Sequence, residues 1–185
     1  MNVVSRRLQT GISLIEVLVA TNILAFGLLG VAGLQTSTAA HMYIAYQHGQ
    51  AALLAQSMLE KLRTNRTATL AGLYQHEKGK APAAPSKNCS EVSCTPAELA
   101  AWDLAIWYSM IADTSAKPYA KIPPGPLAML PSGQTSITCK DTNCSANSIR
   151  LITIYWDSHR NGATGSNCDP ESASDLTCFR LAYVP

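Results

Sequence analysis

The 185-residue chain carries 14 Lys and Arg against 12 Asp and Glu, a formal net charge of +2, and has room for one modest domain beside a membrane-proximal element. Two of the basic residues, Arg6 and Arg7, precede Gly11, so the rest of the chain holds 12 cations (14 less 2) against 12 anions and is neutral. Phosphate backbones are bound by clustered Lys and Arg, so this balance sets nucleic acid aside as a partner.

The first element follows the two arginines. From Ile12 to Gly33 there are 22 residues in which Glu16 is the only charge and Ser13, Thr21 and Asn22 are the only strongly polar groups. As a helix this stretch is roughly 33 Å long, enough to cross a hydrocarbon core of about 30 Å. Arg6 and Arg7 on its short flank place the N-terminus in the cytoplasm and the remainder outside. A secretory signal peptide is the alternative, but its apolar core is about 7–15 residues, shorter than this one, and here a carboxylate interrupts the start. That carboxylate is the anomaly, because a charge in hydrocarbon costs on the order of 2.5–3.5 kcal/mol.

The helical pattern continues past the span. Ala40, Tyr43, Ile44, Ala51, Leu54, Ala55, Met58, Leu59 and Leu62 recur at three- and four-residue steps, the spacing of an amphipathic helix. No proline occurs in residues 1–81, so one helix over about 12–66 is expected. Gly27, Gly30 and Gly33 weaken it locally and permit close helix approach. Glu60 and Arg63, three apart, are placed to pair on its surface.

Residues 78–98 are rich in Pro, Ala, Ser and Lys and read as an exposed connection. Thr95-Pro96-Ala97-Glu98 is a helix start with an N-cap Thr, Pro at the first position and Glu at the third; an apolar helix to about Ala112 follows, its tryptophans core residues. After the turn-rich stretch 120–134, the β-branched runs 135–139 and 149–156 predict two strands of a hairpin, with a third at about 177–184. All six cysteines, Cys89, Cys94, Cys139, Cys144, Cys168 and Cys178, lie beyond residue 85. Their even number and outward position favour disulfides in an oxidising compartment over zinc, whose sites usually use Cys-x2-Cys. Six cysteines permit 15 pairings; sequential pairs are expected because each would flank a short turn-like segment.

No Gly-x-Ser-x-Gly elbow, His-Glu-x-x-His or phosphate-binding glycine loop occurs. The four histidines, His41, His48, His76 and His159, read as solvated. Asp157, Asn161, Asp169, Glu171 and Asp175 could offer oxygen ligands to calcium, but their spacing matches no fixed loop and a solvated acidic loop is preferred. No catalytic residue, metal site or cofactor is expected, and a membrane-anchored periplasmic enzyme is the least supported class.

The residues "GISLIEVLVA", 11–20, resemble the processing signal of type IV prepilins and type II secretion pseudopilins. The resemblance implies a leader 1–11 ending at Gly11, cleavage and N-methylation of Ile12 by a prepilin peptidase, and an assembly role for Glu16, paired with the N-terminal amine of a neighbouring subunit. Ile12 departs from the more usual Phe. "LLAQSMLEKLRTNR", 53–66, is similar to the helix end of PilV-type minor pilins at Ala55, Gln56, Leu59, Glu60, Arg63 and Asn65. Asp103 and Trp107, the Leu-Pro-Ser-Gly turn 130–133 and Trp156-Asp157 also resemble that type. Implied are an α+β pilin fold with a spine helix over about 12–66 (membrane part 12–33, amphipathic part 34–66), a periplasmic domain 67–185 with disulfide-stapled loops, and a subunit that helps prime a pilus. Implied partners are the other minor pilins, the major pilin, the inner membrane and the pilus assembly platform. A minor pseudopilin of a type II secretion system is the alternative.

Overall fold

The computed structural model describes residues 11–112, 130–141, 144–169 and 171–185. Its elements are α1 (Leu14–Thr64), α2 (Arg66–Leu70), α3 (Pro96–Ile111), β1 (Gln134–Cys139), β2 (Arg150–Trp156) and β3 (Thr177–Tyr183). This is an α+β arrangement of a long apolar N-terminal helix, a shorter helix and one antiparallel sheet of strand order β1-β2-β3. The chain forms two compact units divided between Tyr43 and Ile44.

In the first unit every described residue from 11 to 43 is exposed within the single chain. Large apolar side chains point outward all round the helix, among them Leu14 (79 % exposed), Phe26 (74 %) and Leu34 (70 %). Leu14–Thr64 contains a window apolar enough, and is long enough, to cross a membrane. Four of its polar side chains are folded back on the backbone. Thr21 Oγ1 and Asn22 Nδ2 both donate to the Leu18 carbonyl at 3.0 Å, and Thr36 and Thr38 donate to Gly33 and Leu34. Such bonds satisfy hydroxyl and amide donors without water.

The second unit is built on the striped half of α1. Ala51, Leu54, Ala55, Met58 and Leu62 are buried in a core with Trp107 and Ile111 of α3, and Ile137, Ile152, Ile154 and Trp156 of the sheet. The period of three and four puts these α1 residues on one face. Two buried tryptophans bind that face through their indole N–H groups: Trp107 Nε1 donates to the Leu54 carbonyl at 2.9 Å, and Trp156 Nε1 to Gln47 Oε1 at 3.1 Å. Burial therefore starts at Gln47; Ala40 and Tyr43, expected on the stripe, are exposed.

Helix α3 begins as its sequence dictates, with a capping box in which Thr95 Oγ1 accepts from the Glu98 N–H and the Glu98 carboxylate accepts from the Thr95 N–H. Lys87 adds an ion pair to the same carboxylate at 2.7 Å. Led by the Lys87 hydrogen bond, these donors lower the Glu98 pKa from the usual carboxylate value to about 2.

β1 pairs with β2 from Gln134↔Tyr155 to Cys139↔Arg150, and β2 with β3 from Arg150↔Tyr183 to Trp156↔Thr177. This register turns Ile137, Ile152 and Leu181 to the core side of the sheet. On the other side Tyr155 forms a small cluster with Ala163 and Leu176 of the 157–176 loop. Lys78 clamps that loop, donating to the Thr164 and Gly165 carbonyls at 3.2 Å with its ammonium 4.9 Å from the Tyr155 ring centre. The disulfides join Cys89 to Cys94, Cys139 to Cys144 and Cys168 to Cys178.

The turn before β1 is a close approach. Pro131 C=O accepts from the Asp157 N–H at 2.9 Å, and Gly133 packs so tightly on the end of α3 that a Cβ there would lie 2.2 Å from the Ile111 carbonyl oxygen. Gly133→Ala must move backbone, and is expected to destabilise the second unit by about 1–3 kcal/mol; urea unfolding followed by tryptophan fluorescence measures it.

Candidate functional site

Glu16 stands in the first turn of α1, where the unpaired N–H groups and the helix dipole favour a negative charge. Ser13 C=O opens the helix, accepting from the Glu16 and Val17 N–H groups at 3.0 and 3.3 Å. Among the described residues no cation of the chain itself pairs with Glu16. Gly11 and Ile12 precede the helix and are exposed, Ile12 at 76 %. The site is thus one carboxylate on an apolar, uncovered helix, five residues after Gly11 and four after Ile12. Chemically it can accept a cation brought by another molecule.

The second constellation lies where α1 ends. The helix stops at Thr64, two residues short of the expected 66, and Asn65 breaks it with φ −104° and ψ 57°. Asn65 Nδ2 donates to the Pro96 carbonyl at 2.8 Å and to Tyr74 Oη at 3.2 Å. Tyr74 Oη donates to Asp103 Oδ2 at 2.8 Å, and Lys61 Nζ to Asp103 Oδ1 at 2.5 Å. Burial, reinforced by the Asp103 charge, pushes the Tyr74 hydroxyl pKa well above its usual value and keeps it a donor. Thr69 Oγ1 donates to the Leu62 carbonyl at 2.7 Å, satisfying one acceptor that the helix end frees.

These residues give the 53–66 motif a structural meaning. Ala55 is core, Leu59 packs on it, and the expected Glu60–Arg63 pair is present at 3.0 Å. Arg63 also stacks over Tyr183, 5.6 Å from its ring centre. Asp103, Trp107, the 130–133 turn and Trp156-Asp157, far apart in sequence, all prove to be joints between α1, α3 and the sheet. The role of Lys61 and Tyr74 escaped sequence reasoning; the only local signal was Asp103 within an otherwise apolar helix.

Two expectations are corrected. His76 is not a solvated histidine: it is 7 % exposed, exchanges main-chain hydrogen bonds with Ile137 at 2.9 and 2.8 Å, and packs edge-on to Tyr108. Asp157 is not a solvated loop acid either. It is 4 % exposed and accepts from the Asn161 and Gly162 N–H groups at 3.2 and 2.8 Å, folding the loop back after β2. His41, His48 and His159 are exposed, and so are Asn161, Asp169 and Glu171. Among the described residues no group of three His, Cys, Asp or Glu could hold a metal ion. The stretch 113–129 and residues 1–10, which include most of the expected turn-rich bridge and of the leader, lie outside the described residues.

Comparison with protein-family models, curated proteins and solved structures finds no match.

Removing Asp103 leaves Lys61 and Tyr74 without their acceptor. Lys61 keeps 28 % of its side chain in solvent and can rehydrate, so Asp103→Ala is expected to cost about 3 kcal/mol, the low end for a broken buried pair, in chemical denaturation. Burial lowers the His76 pKa below its ordinary value. The unfolded chain therefore takes up the proton first, and the stability tied to neutral His76 is complete above about pH 6.5 and is lost as pH falls towards the folded-state pKa. Denaturation midpoints between pH 8 and 5 should fall less in His76→Gln than in the wild type.

Proposed function

We propose that the chain is a minor pilin of the PilV type, a structural subunit that helps prime and assemble a type IV pilus. The observation that carries this reading is Glu16, an unpaired carboxylate in the apolar first part of α1, which up to Tyr43 is wholly exposed and holds no other Asp, Glu, Lys or Arg, in fixed register with Gly11 and Ile12. An intramembrane charge of this kind needs a partner. Cleavage between Gly11 and Ile12 by a prepilin peptidase would make a new α-amino group one helical turn from Glu16, and the amine of a neighbouring subunit would meet the carboxylate as the chain leaves the bilayer.

In this reading residues 12–33 are first a single-pass anchor in the inner membrane, with the N-terminus cytoplasmic and the disulfide-bearing unit periplasmic. They then become filament packing, with the other minor pilins and the major pilin as neighbours, the assembly platform as the machine and the pilus tip as the place. Twitching motility and adhesion follow from the pilus, and no enzymatic step is assigned. Support also comes from the second unit, where the residues shared with the PilV pattern hold the helix to the sheet.

The intact mass of the processed chain is expected to start at Ile12 with one added methyl group. Glu16→Ala should leave that processing intact while cutting incorporation into sheared pili severely; normal incorporation refutes the assembly role. Deleting the gene separates the two machines: lost piliation with normal exoprotein secretion supports a pilin, and the reverse assigns the chain to a type II secretion system as a pseudopilin.

A further inference from the structure

The two edges of the sheet differ. In an antiparallel ladder the N–H and C=O of one residue point to the same side, and successive residues alternate. The Lys140 N–H bonds to the Ile149 carbonyl, so even-numbered β1 residues face β2 and odd-numbered ones face outward. Ile137 is odd, and both its main-chain groups are taken by His76. The β1 edge is closed at its centre.

Carrying the register across β2, the even residues Ile152 and Ile154 bond to Leu181 and Phe179. Cys178, Arg180 and Ala182 must therefore aim their main-chain groups away from the sheet. Cys178 is bonded to Cys168, which brings the preceding loop beside it. Among the described residues the N–H and C=O of Arg180 and Ala182 have no partner, and both residues are exposed. Phe179, Leu181 and Tyr183, which line the core side of this edge, are only partly buried, together with Leu59 of α1. The strand Thr177–Tyr183 has no acidic residue, and Arg180, exposed on the outer face of the sheet, donates to Cys168 Sγ at 3.2 Å and has no ion pair among the described residues.

We propose that the β3 edge receives an extended segment of another protein, with an acidic residue opposite Arg180, which adds to the sheet as a fourth strand. Donors and acceptors spaced two residues apart are matched by an extended backbone and by no helix, and alternate apolar side chains of the added strand would cover Phe179, Leu181 and Tyr183. Charge argues against a second copy of this chain. The symmetric registers that pair Arg180 with Arg180 or with Ala182 set the two Arg180 side chains directly opposite or diagonal, where like charges repel. The inference stands independently of the pilus reading.

Hydrogen exchange tests it, comparing the full-length chain purified alone in detergent with the complex that co-purifies with it from the membranes of its own cell. The Arg180 and Ala182 amides are expected to exchange at least about tenfold more slowly in the complex. Ala182→Pro removes an N–H that the sheet itself does not use, so it should scarcely move the melting temperature of the isolated chain yet abolish the complex. Arg180→Glu should weaken the complex strongly and Arg180→Lys should retain it. Unchanged exchange at these two amides, an Ala182→Pro chain that still forms the complex, or a purified chain found alone overturns the proposal. Efficient disulfide formation between two Ala182→Cys chains would replace the partner with a second copy. Edge protection in a complex without pilins would uphold this inference and refute the pilus assignment.

Discussion

Asp103 is the group on which the second unit turns. Its carboxylate, on α3, is reached by Lys61 from the last turns of α1 and by Tyr74 from the segment beyond α2, and Asn65 closes the circuit from Tyr74 back to Pro96 at the start of α3. A buried ion pair adds little stability over an apolar one, since desolvation offsets most of the attraction. What this network supplies is register. With the α1 end fixed against two points of α3, Leu54 presents its carbonyl to Trp107 and the buried stripe of α1 meets the sheet in one arrangement only.

The same helix obeys opposite rules in its two halves. From Gln47 onward the apolar residues fall on one face and are buried by the chain's own α3 and sheet. Up to Tyr43 they fall on every face, and among the described residues nothing covers them. Exposed apolar surface on that scale marks contact with lipid or with other proteins. Glu16 sharpens the point, since a carboxylate in apolar surroundings is costly without a cation or a polar boundary beside it.

Local chemistry was legible in the sequence wherever it depended on neighbours. Thr95-Pro96-Ala97-Glu98 marked the start of α3, and the β-branched runs marked the strands to within a residue or so, because caps and pleated faces are decided over a few positions. The anomaly of Glu16 was equally plain, as the one charge in a long apolar run. What stayed hidden depended on contacts across long separations. Asn65 ends α1 by bonding to Pro96, 31 residues away, and Lys61 finds Asp103 42 residues away. His76 sits in polar surroundings in sequence, and only its pairing with Ile137 buries it. Asp157 looked like one acid among several in a polar loop until the backbone turned its own N–H groups towards it.

The three disulfides join cysteines only 5, 5 and 10 residues apart. Closing such small rings restricts the unfolded chain by roughly 2–3 kcal/mol each in the chain-entropy description. None of them spans from α1 to the sheet, or from α3 to either. The covalent cross-links therefore stiffen three surface loops and leave the joining of the helices to the sheet wholly to packing and hydrogen bonds. Each pair can also form as soon as its own short stretch of chain is oxidised, with no wait for the tertiary fold and no long-range mispairing to undo.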